Sequence, residues 1–539
     1  MVRCLCLLVS TIVLVCLPEV SRGSDVRASG TSMARLRVVI LDGETGQPTP
    51  ARVRLVDDAG RSTPLPAEAV AVMYGHWDHA DGYGYQPDSS FYVPGTFALD
   101  LPAGRYHLAL SKGNEYVAQR HEIVLEPGQD QEKRFTLQRW INMPEQGWYS
   151  ADDHIHIRRS PREDPLLMDW IRAEDIHVGV LLRMGDFWEI YYSQYAWGED
   201  GVYQKGDYLL TSGQEDPRTP ELGHALGIGA SDRVRFKDEY YYYDKVFDRL
   251  RELGGLAGYA HQAATFHGYR GLMLDGLRNK VDVLELMQFC APEGPLITDH
   301  YYHLLDLGYE VTATAGSDFP WCGKDHRYGE DVAFEKAAQI GNARFYTYTD
   351  GPLTYASWKT GLAAGRTFVT TGPVLMLEVN GHLPGARVDV DRGDVVRVTA
   401  RAYGHAEQVP LERLEIVGHG RVLASASARE VGQSPEHVTL ELDLPVDRGI
   451  WLAARTFAGP HQSAHTTPVY VTVAGGGFHN PETVEPYLER AEQYLQELER
   501  ELTQRSDDPE RQAWRYADGL RARIEETRAV IDALRQRLH

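Results

Sequence analysis

The sequence is poor in cysteine, with five in 539 residues, and three of these (Cys4, Cys6 and Cys16) lie close to the N-terminus. The other two, Cys290 and Cys322, are too few to form a disulfide framework. An oxidising compartment would allow them to pair. We therefore expect hydrophobic cores, and not crosslinks, to stabilise the fold.

Positive charge is also in deficit: 55 Lys and Arg residues stand against 77 Asp and Glu, giving a net charge of −22. Binding to a nucleic-acid backbone requires clustered Lys and Arg, so we predict no nucleic-acid partner. A hydrophobic content of 43% excludes a wholly disordered chain. At roughly 100–200 residues per domain, the length predicts about three or four domains.

Long apolar runs are missing except at the start of the chain. Residues 1–23 resemble a secretory signal peptide, with Arg3 before an uncharged, mostly apolar run over 4–18 and small residues at Ser21 and Gly23. The run is shorter than the ~20 residues that a spanning helix needs. We predict an exported protein, periplasmic or extracellular, with no stable membrane span in the mature chain.

Residues 34–138 have the alternating pattern of a β-sandwich, with strands over 35–41 and 51–56 separated by a turn-rich segment. The orders G-x-P-x-x-A-x-V-x-L and L-P-A-G-x-Y resemble transthyretin-like or carboxypeptidase-regulatory-like β-modules. A long insertion at 73–94 is rich in aromatic residues and histidine. It either forms a solvated loop or covers a neighbouring active site.

The rest of the chain divides into three patterns. Residues 140–370 alternate short apolar runs with amphipathic helices, which is typical of a parallel sheet or barrel. Residues 372–474 return to β patterning and predict an immunoglobulin-like sandwich without its disulfide. Residues 481–539 are rich in Glu, Arg, Gln and Leu and predict a helical hairpin. The oligomeric state is left open.

A cluster of possible metal ligands begins with the segment GWYSADDHIH. On a strand, His154 and His156 point to the same side, so their imidazoles can bind one metal ion. Further donors lie at or next to the ends of later candidate strands, where the loops of a barrel share one mouth. The complete set is His154, His156, Glu215, His224, His261 and Asp318. These N and O donors suit Zn²⁺, Mn²⁺ or Fe²⁺, and a bridging carboxylate allows two ions to lie close together.

The ordered motifs DDHIH, TSGQE, GHALGIG, GYAHQ and ATAGSD, followed by GRTFVTTGPVLMLEVNG, resemble the PHP (polymerase and histidinol phosphatase) superfamily of metallohydrolases. The residues in and around these motifs are most similar to those of the branch named for carbaryl hydrolase (CehA/McbA). The resemblance implies a distorted (β/α)7 barrel over 140–370. It also implies that His154, His156 and Asp318 bind a first metal ion, that Glu215 bridges, and that His224 and His261 bind a second.

Two departures from the family pattern limit the number of ions. The region 182–186 lacks the Asp-His pair that often follows the second strand, and Asp318 is followed by Phe-Pro in place of the usual D-x-H ending. We therefore expect two ions at most. His267 and His326 lie near enough in sequence to compensate, but we expect them around the ligands or at the surface.

These observations predict an exported hydrolase that uses a metal-activated hydroxide on a phosphoester, a carbamate or a related small-molecule ester. Glu215 and Asp318 would be catalytic, and Arg183 or Lys324 would either stabilise negative charge on the substrate or form ordinary ion pairs. Asp153 is expected to orient the histidine pair. The competing hypothesis is a non-catalytic or carbohydrate-binding protein of the cell surface or periplasm, because β-sandwiches rich in Trp and Tyr suit stacking on glycans.

Overall fold

The computed structural model describes residues 32–71, 86, 88–261, 266–288, 296–319, 339–428, 436–459 and 461–538. The predicted signal peptide, most of the insertion at 73–94, both Cys290 and Cys322, and also Lys324 and His326 lie outside the described residues.

The N-terminal part forms two small sheets that share one apolar core. Alternate residues of the first strand, such as Leu36 and Val38, point inward and pack with residues such as Val53 of the second sheet. Their strands are β1 (Met33–Asp42), β2 (Ala51–Asp57), β3 (Phe91–Val93), β4 (Thr96–Pro102), β5 (Gly104–Ser111), β6 (Gln119–Leu125) and β7 (Asp130–Leu137). The sheets have the orders β4-β1-β7 and β3-β2-β5-β6.

The middle of the chain forms most of one large mixed sheet with helices packed on it. Its strands are β8 (Trp148–Ile155), β9 (Val178–Gly185), β10 (Ile190–Tyr191), β11 (Tyr203–Lys205), β12 (Tyr208–Thr219), β13 (Gly223–Ile228), β14 (Leu256–Tyr259), β15 (Val283–Gln288), β16 (Thr312–Gly316), β17 (Arg344–Tyr348) and β18 (Thr367–Thr370). The helices are α1 (Asp164–Ala173), α2 (Tyr243–Glu252), α3 (Gly268–Gly276), α4 (Asp299–Asp306) and α5 (Tyr355–Ala363).

The predicted fold class, α/β plus all-β with a distorted (β/α)7 barrel, is wrong. The structure is mostly β, with 41% strand and 22% helix, and its main sheet curls into a half-barrel. Strand β13 runs antiparallel to both β12 and β14, and β17 runs antiparallel to both β8 and β18. A short turn between β12 and β13 replaces the helical crossover that a parallel pair requires. The alternation of apolar runs in the sequence did not reveal strand direction.

The main sheet also continues into the C-terminal β region, because β18 pairs with the strand Gln462–Thr466. The strands of this region are β19 (Val374–Val379), β20 (Arg387–Val390), β21 (Val395–Tyr403), β22 (Leu411–Gly418), β23 (Arg421–Ser427), β24 (His437–Pro445), β25 (Ile450–Ala458), β26 (Gln462–Thr466) and β27 (Val469–Val473). A separate three-stranded sheet has the order β19-β21-β24.

The chain ends in two long helices, α6 (Val484–Glu501) and α7 (Ala517–Leu538). Their apolar faces, which include Leu488, Leu495 and Ile524, join the same hydrophobic core as the central strands. Arg528 forms an ion pair with Glu492 across the two helices. Among the described helices, none combines the length and apolar character that crossing a bilayer needs.

Candidate metal centre

The six predicted ligands come together in the interior of the central sheet. His154 is the penultimate residue of β8 and His156 follows the strand, so the two rings share one side of the chain. Their Nε2 atoms lie 3.1 Å apart. All six side chains are buried, and Asp318, with 7% of its surface exposed, is the most accessible.

Asp318 reaches this pair because the end of β16 returns beside the end of β8. The amide of His156 donates to the Phe319 carbonyl at 2.8 Å. The buried Asp152 carboxylate accepts the amides of both His154 and Ser317, at 3.0 and 2.9 Å. These bonds fix the two segments against each other and so fix the ligands that they carry.

The two oxygens of Asp318 face different histidines. Oδ1 lies 3.4 Å from His154 Nε2 and 3.2 Å from His156 Nε2. Oδ2 lies 3.2 Å from Nε2 of His261, which follows β14. Asp318 therefore stands between the histidine pair and His261.

Glu215, on β12, occupies the centre of the cluster. Its Oε2 lies 3.4 Å from His156 Nε2, and its Oε1 lies 3.7 Å from His154 Nε2 and 3.6 Å from His261 Nε2. His224 Nδ1, on the adjacent β13, is 2.6 Å from Oε1, which is a hydrogen-bonding distance. Glu215 is thus the residue that all four histidines approach.

The spacing of these donors fits shared metal ions. Two ligands that each lie about 2.1 Å from one tetrahedral ion are about 3.4 Å apart. The contacts among His154, His156, Asp318 and Glu215 run from 3.1 to 3.7 Å. Two groups of three donors converge on Glu215, one with His154 and His156 and the other with His224 and His261. The residues present therefore fit the expected pair of divalent ions.

Charge within the cluster favours ionised carboxylates. Burial alone would raise the pKa of Glu215, but Arg218 and His224 lower it well below its usual range. Burial likewise opposes ionisation of Asp318, whereas His154 and His261 hold its pKa far down. Anionic oxygens are the form that binds a cation.

Backbone strain accompanies two of the ligands. His261 has φ of 55° and Asp318 has φ of 50°, a left-handed conformation that residues other than glycine seldom adopt. Each such residue costs on the order of 1–3 kcal/mol, and strain of this kind concentrates at functional sites. The fold thus holds two of the donors in the cluster in a backbone conformation that costs free energy.

Sequence reasoning missed two charged residues at the centre. Glu285 lies within β15, with Oε1 2.7 Å from His154 Nδ1. Its signal was a single carboxylate inside an otherwise apolar strand. Arg218, with Nε 3.0 Å from Glu215 Oε2, follows an irregularity in the pairing of β12 and had no distinguishing pattern.

The structure places the remaining candidates around the cluster. Arg183 forms an ion pair with Asp216, at 2.8 Å, and the described residues show no contact between its guanidinium and the six donors. Asp153 is fully buried beside His154, and burial together with the Glu285 charge raises its pKa well above the usual value. His267 Nδ1 lies 2.9 Å from the carbonyl oxygen of Pro220.

Comparison with known proteins does not assign this chain to a family. No family profile and no curated protein matches it. Among solved structures, a minor pilin of Streptococcus agalactiae aligns at 18% identity with a TM-score of 0.15, covering 21% of this chain and 46% of the pilin. The major pilin subunit of Bacillus cereus aligns at 6% identity with a TM-score of 0.26, covering 82% of this chain and 70% of the pilin. The Legionella pneumophila phospholipase PlaB aligns at 14% identity with a TM-score of 0.12, covering 20% of this chain and 25% of the enzyme.

This chain aligns with less than half the length of the S. agalactiae pilin and of a streptococcal ancillary pilin. Scores this low identify no shared fold. The functional argument therefore depends on the site itself.

Proposed function

We propose that this protein is a metal-dependent hydrolase that holds two divalent ions, Zn²⁺, Mn²⁺ or Fe²⁺. The observation that carries the proposal is the convergence of four buried histidines and two buried carboxylates on one point, at the spacing of shared ligands. Buried charges at this density are costly unless a cation or hydrogen bonds compensate them.

The chain offers two sets of donors. His154, His156 and Asp318 Oδ1 would hold one ion, and His224, His261 and Asp318 Oδ2 the other. Glu215 contributes one oxygen to each set. When bound, such ions supply Lewis acidity that polarises an ester and makes water nucleophilic near neutral pH.

Arg218 contributes a fixed positive charge at the edge of the site. Its Nε lies 3.0 Å from Glu215 Oε2, and 21% of its side chain remains exposed. A guanidinium in this position keeps Glu215 ionised and offers hydrogen-bond donors to an anionic group at the site. This role replaces the one that the sequence suggested for Arg183, whose charge is paired with Asp216.

Two aromatic rings limit access to the ligands. Tyr192 stacks on His156 with 5.5 Å between ring centroids, and Phe266 stacks on His224 at 4.6 Å. Phe266 is 49% exposed, so it presents an apolar surface next to a metal ligand. These rings restrict ligand rotation and exclude water from one side of each imidazole.

The substrate that we propose is a small phosphoester, carbamate or related ester. Support for this class comes from the order of the ligand motifs, which resembles the PHP superfamily and its carbaryl hydrolase branch; the fold itself gives none. We also propose that the protein is exported to the periplasm or the extracellular space, because residues 1–23 have the pattern of a signal peptide.

A panel of chromogenic substrates tests the hydrolase: p-nitrophenyl phosphate, bis(p-nitrophenyl) phosphate, p-nitrophenyl acetate and an aryl N-methylcarbamate. We expect turnover of at least one that stops with chelator and returns with Zn²⁺ or Mn²⁺. Glu215→Gln should remain folded and inactive, whereas His437→Ala, at an exposed histidine of β24, should retain full activity. A metal-loaded protein that turns over none of these esters would contradict the hydrolase and favour a binding role.

A further inference from the structure

Glu285 connects the two halves of the candidate metal centre. Its side chain is 1% exposed, and both carboxylate oxygens have short contacts with site histidines. Oε1 is 2.7 Å from His154 Nδ1, and Oε2 accepts the backbone amide of His261 at 2.7 Å. His154 belongs to one proposed donor set and His261 to the other.

The contact with His154 determines which ring nitrogen faces the cluster. With the carboxylate as the acceptor, this hydrogen bond places the His154 proton at Nδ1. A neutral imidazole protonated at Nδ1 has its lone pair on Nε2. That Nε2 is the atom that approaches His156, Asp318 and Glu215.

The contact with His261 opposes backbone strain. His261 has φ of 55°, and its amide would lose a strong acceptor if the chain relaxed away from Glu285. A charged acceptor makes a stronger hydrogen bond than a neutral one. The same carboxylate therefore orients one ligand through its ring and another through its backbone.

Glu285 could instead be a metal ligand, since it lies within reach of both His154 and His261. The geometry opposes this alternative. Glu285 Oε1 meets His154 at Nδ1, whereas His156, Glu215 and Asp318 meet the same ring at Nε2, the nitrogen that faces the cluster.

We propose that Glu285 is a positioning residue, which fixes the His154 tautomer and the His261 backbone so that both metal sites are formed before an ion binds. The inference rests on one part of the proposed function, the binding of metal by the six donors, and does not require ester hydrolysis. A carboxylate partner to a ligand histidine typically changes metal affinity about 10–100-fold.

Metal affinity, measured by chelator competition with Zn²⁺ alone, tests the role without any activity readout. We expect Glu285→Gln to weaken Zn²⁺ binding about 10–100-fold while circular dichroism stays unchanged. The matched control is Asp275→Asn. Asp275 is also buried and accepts the Tyr259 hydroxyl at 2.7 Å, but it lies in α3. This control should lower stability and leave Zn²⁺ affinity unchanged.

A second measurement covers the case in which Glu285→Gln does not fold. In Zn²⁺-loaded wild-type protein labelled with ¹⁵N-histidine, His154 is the signal that disappears in His154→Gln. We expect its Nδ1 to show the chemical shift of a protonated ring nitrogen. An unprotonated Nδ1 would overturn the proposal, as would wild-type Zn²⁺ affinity in Glu285→Gln or an equal loss in Asp275→Asn.

These outcomes separate the two proposals. A wild-type protein that binds two ions but hydrolyses no ester contradicts the hydrolase and leaves the role of Glu285 to be decided by the affinities. Hydrolysis that persists alongside normal Zn²⁺ affinity in Glu285→Gln contradicts only the role of Glu285. A wild-type protein that binds no divalent ion contradicts both.

Discussion

His154 and His156 bring their Nε2 atoms to within 3.1 Å of each other, although the two residues belong to different backbone environments. His154 lies within β8, at an irregularity in its pairing with β9, whereas His156 lies one residue beyond the strand and donates its amide to Phe319. The two-residue spacing gives the common side, and the return of the chain after β16 fixes the distance.

The first prediction removes one member of this pair. His156→Ala deletes a donor from one set and leaves His224 and His261 unchanged, so we expect metal content to fall from about two ions per chain to about one. Glu215→Ala deletes a donor from both sets and should lose both ions. Plasma mass spectrometry of the purified variants measures the count, and His437→Ala is the control. Wild-type stoichiometry in both variants would refute the metal centre.

The six residues that the sequence selected come together in the structure, although the fold that was predicted to hold them is wrong. His154 and His156 followed from the period of a strand, and His261 and Asp318 from the rule that ligands lie at strand ends. That rule could not find Glu285, because it lies inside β15 and acts on other ligands. The direction of β13 was equally hidden, since a buried apolar strand has the same pattern in either direction.

The second prediction concerns Arg218. We expect its guanidinium and the metal ions to stabilise the same Glu215 carboxylate, so that either can partly replace the other. Without metal, the Arg218 charge lowers the pKa of Glu215 more than any other neighbouring group does. Arg218→Ala should therefore reduce the stability of metal-free protein, by up to about 3 kcal/mol. Loaded protein should lose less, because bound cations also stabilise the carboxylate. Thermal unfolding of both forms measures the difference.

Arg183→Ala is the matched control for that experiment. Its partner Asp216 lies outside the six donors, so the decrease in Tm should be the same with and without metal. An equal decrease for Arg218→Ala in the two forms would show that Arg218 and the ions do not share Glu215.

The third prediction concerns Glu221, which joins the metal-centre region to the C-terminal helices. Its carboxylate accepts the Tyr241 hydroxyl at 3.2 Å and the Ala513 amide at 3.4 Å. Burial raises the pKa of Glu221 from its ordinary 4.5 to about 7, and these two hydrogen bonds only partly oppose the shift. The folded protein therefore binds this proton more tightly than the unfolded chain.

The sign of the pH effect follows from that difference. The contribution of Glu221 to stability is complete below pH 4.5 and is lost as the pH rises through about 7. In Glu221→Gln this part of the dependence should vanish, so the difference in Tm between wild type and variant should change across pH 5–8. Glu489→Gln, at an exposed position of α6, should give a constant difference. A constant difference for Glu221→Gln would contradict the raised pKa.

The last prediction tests how closely the backbone packs behind His154. A Cβ atom added at Gly316 would lie 2.4 Å from His154 Cβ and 2.7 Å from His154 N, distances that force one segment to move. Overpacking of this kind costs about 1–3 kcal/mol. Because the displaced segment carries a ligand, Gly316→Ala should weaken Zn²⁺ binding as well as lower Tm. Gly477→Ala is the control, since among the described residues its new Cβ would meet only the His479 ring, at 3.3 Å. Loss of Tm without loss of Zn²⁺ affinity in Gly316→Ala would show that His154 tolerates movement of the strand behind it.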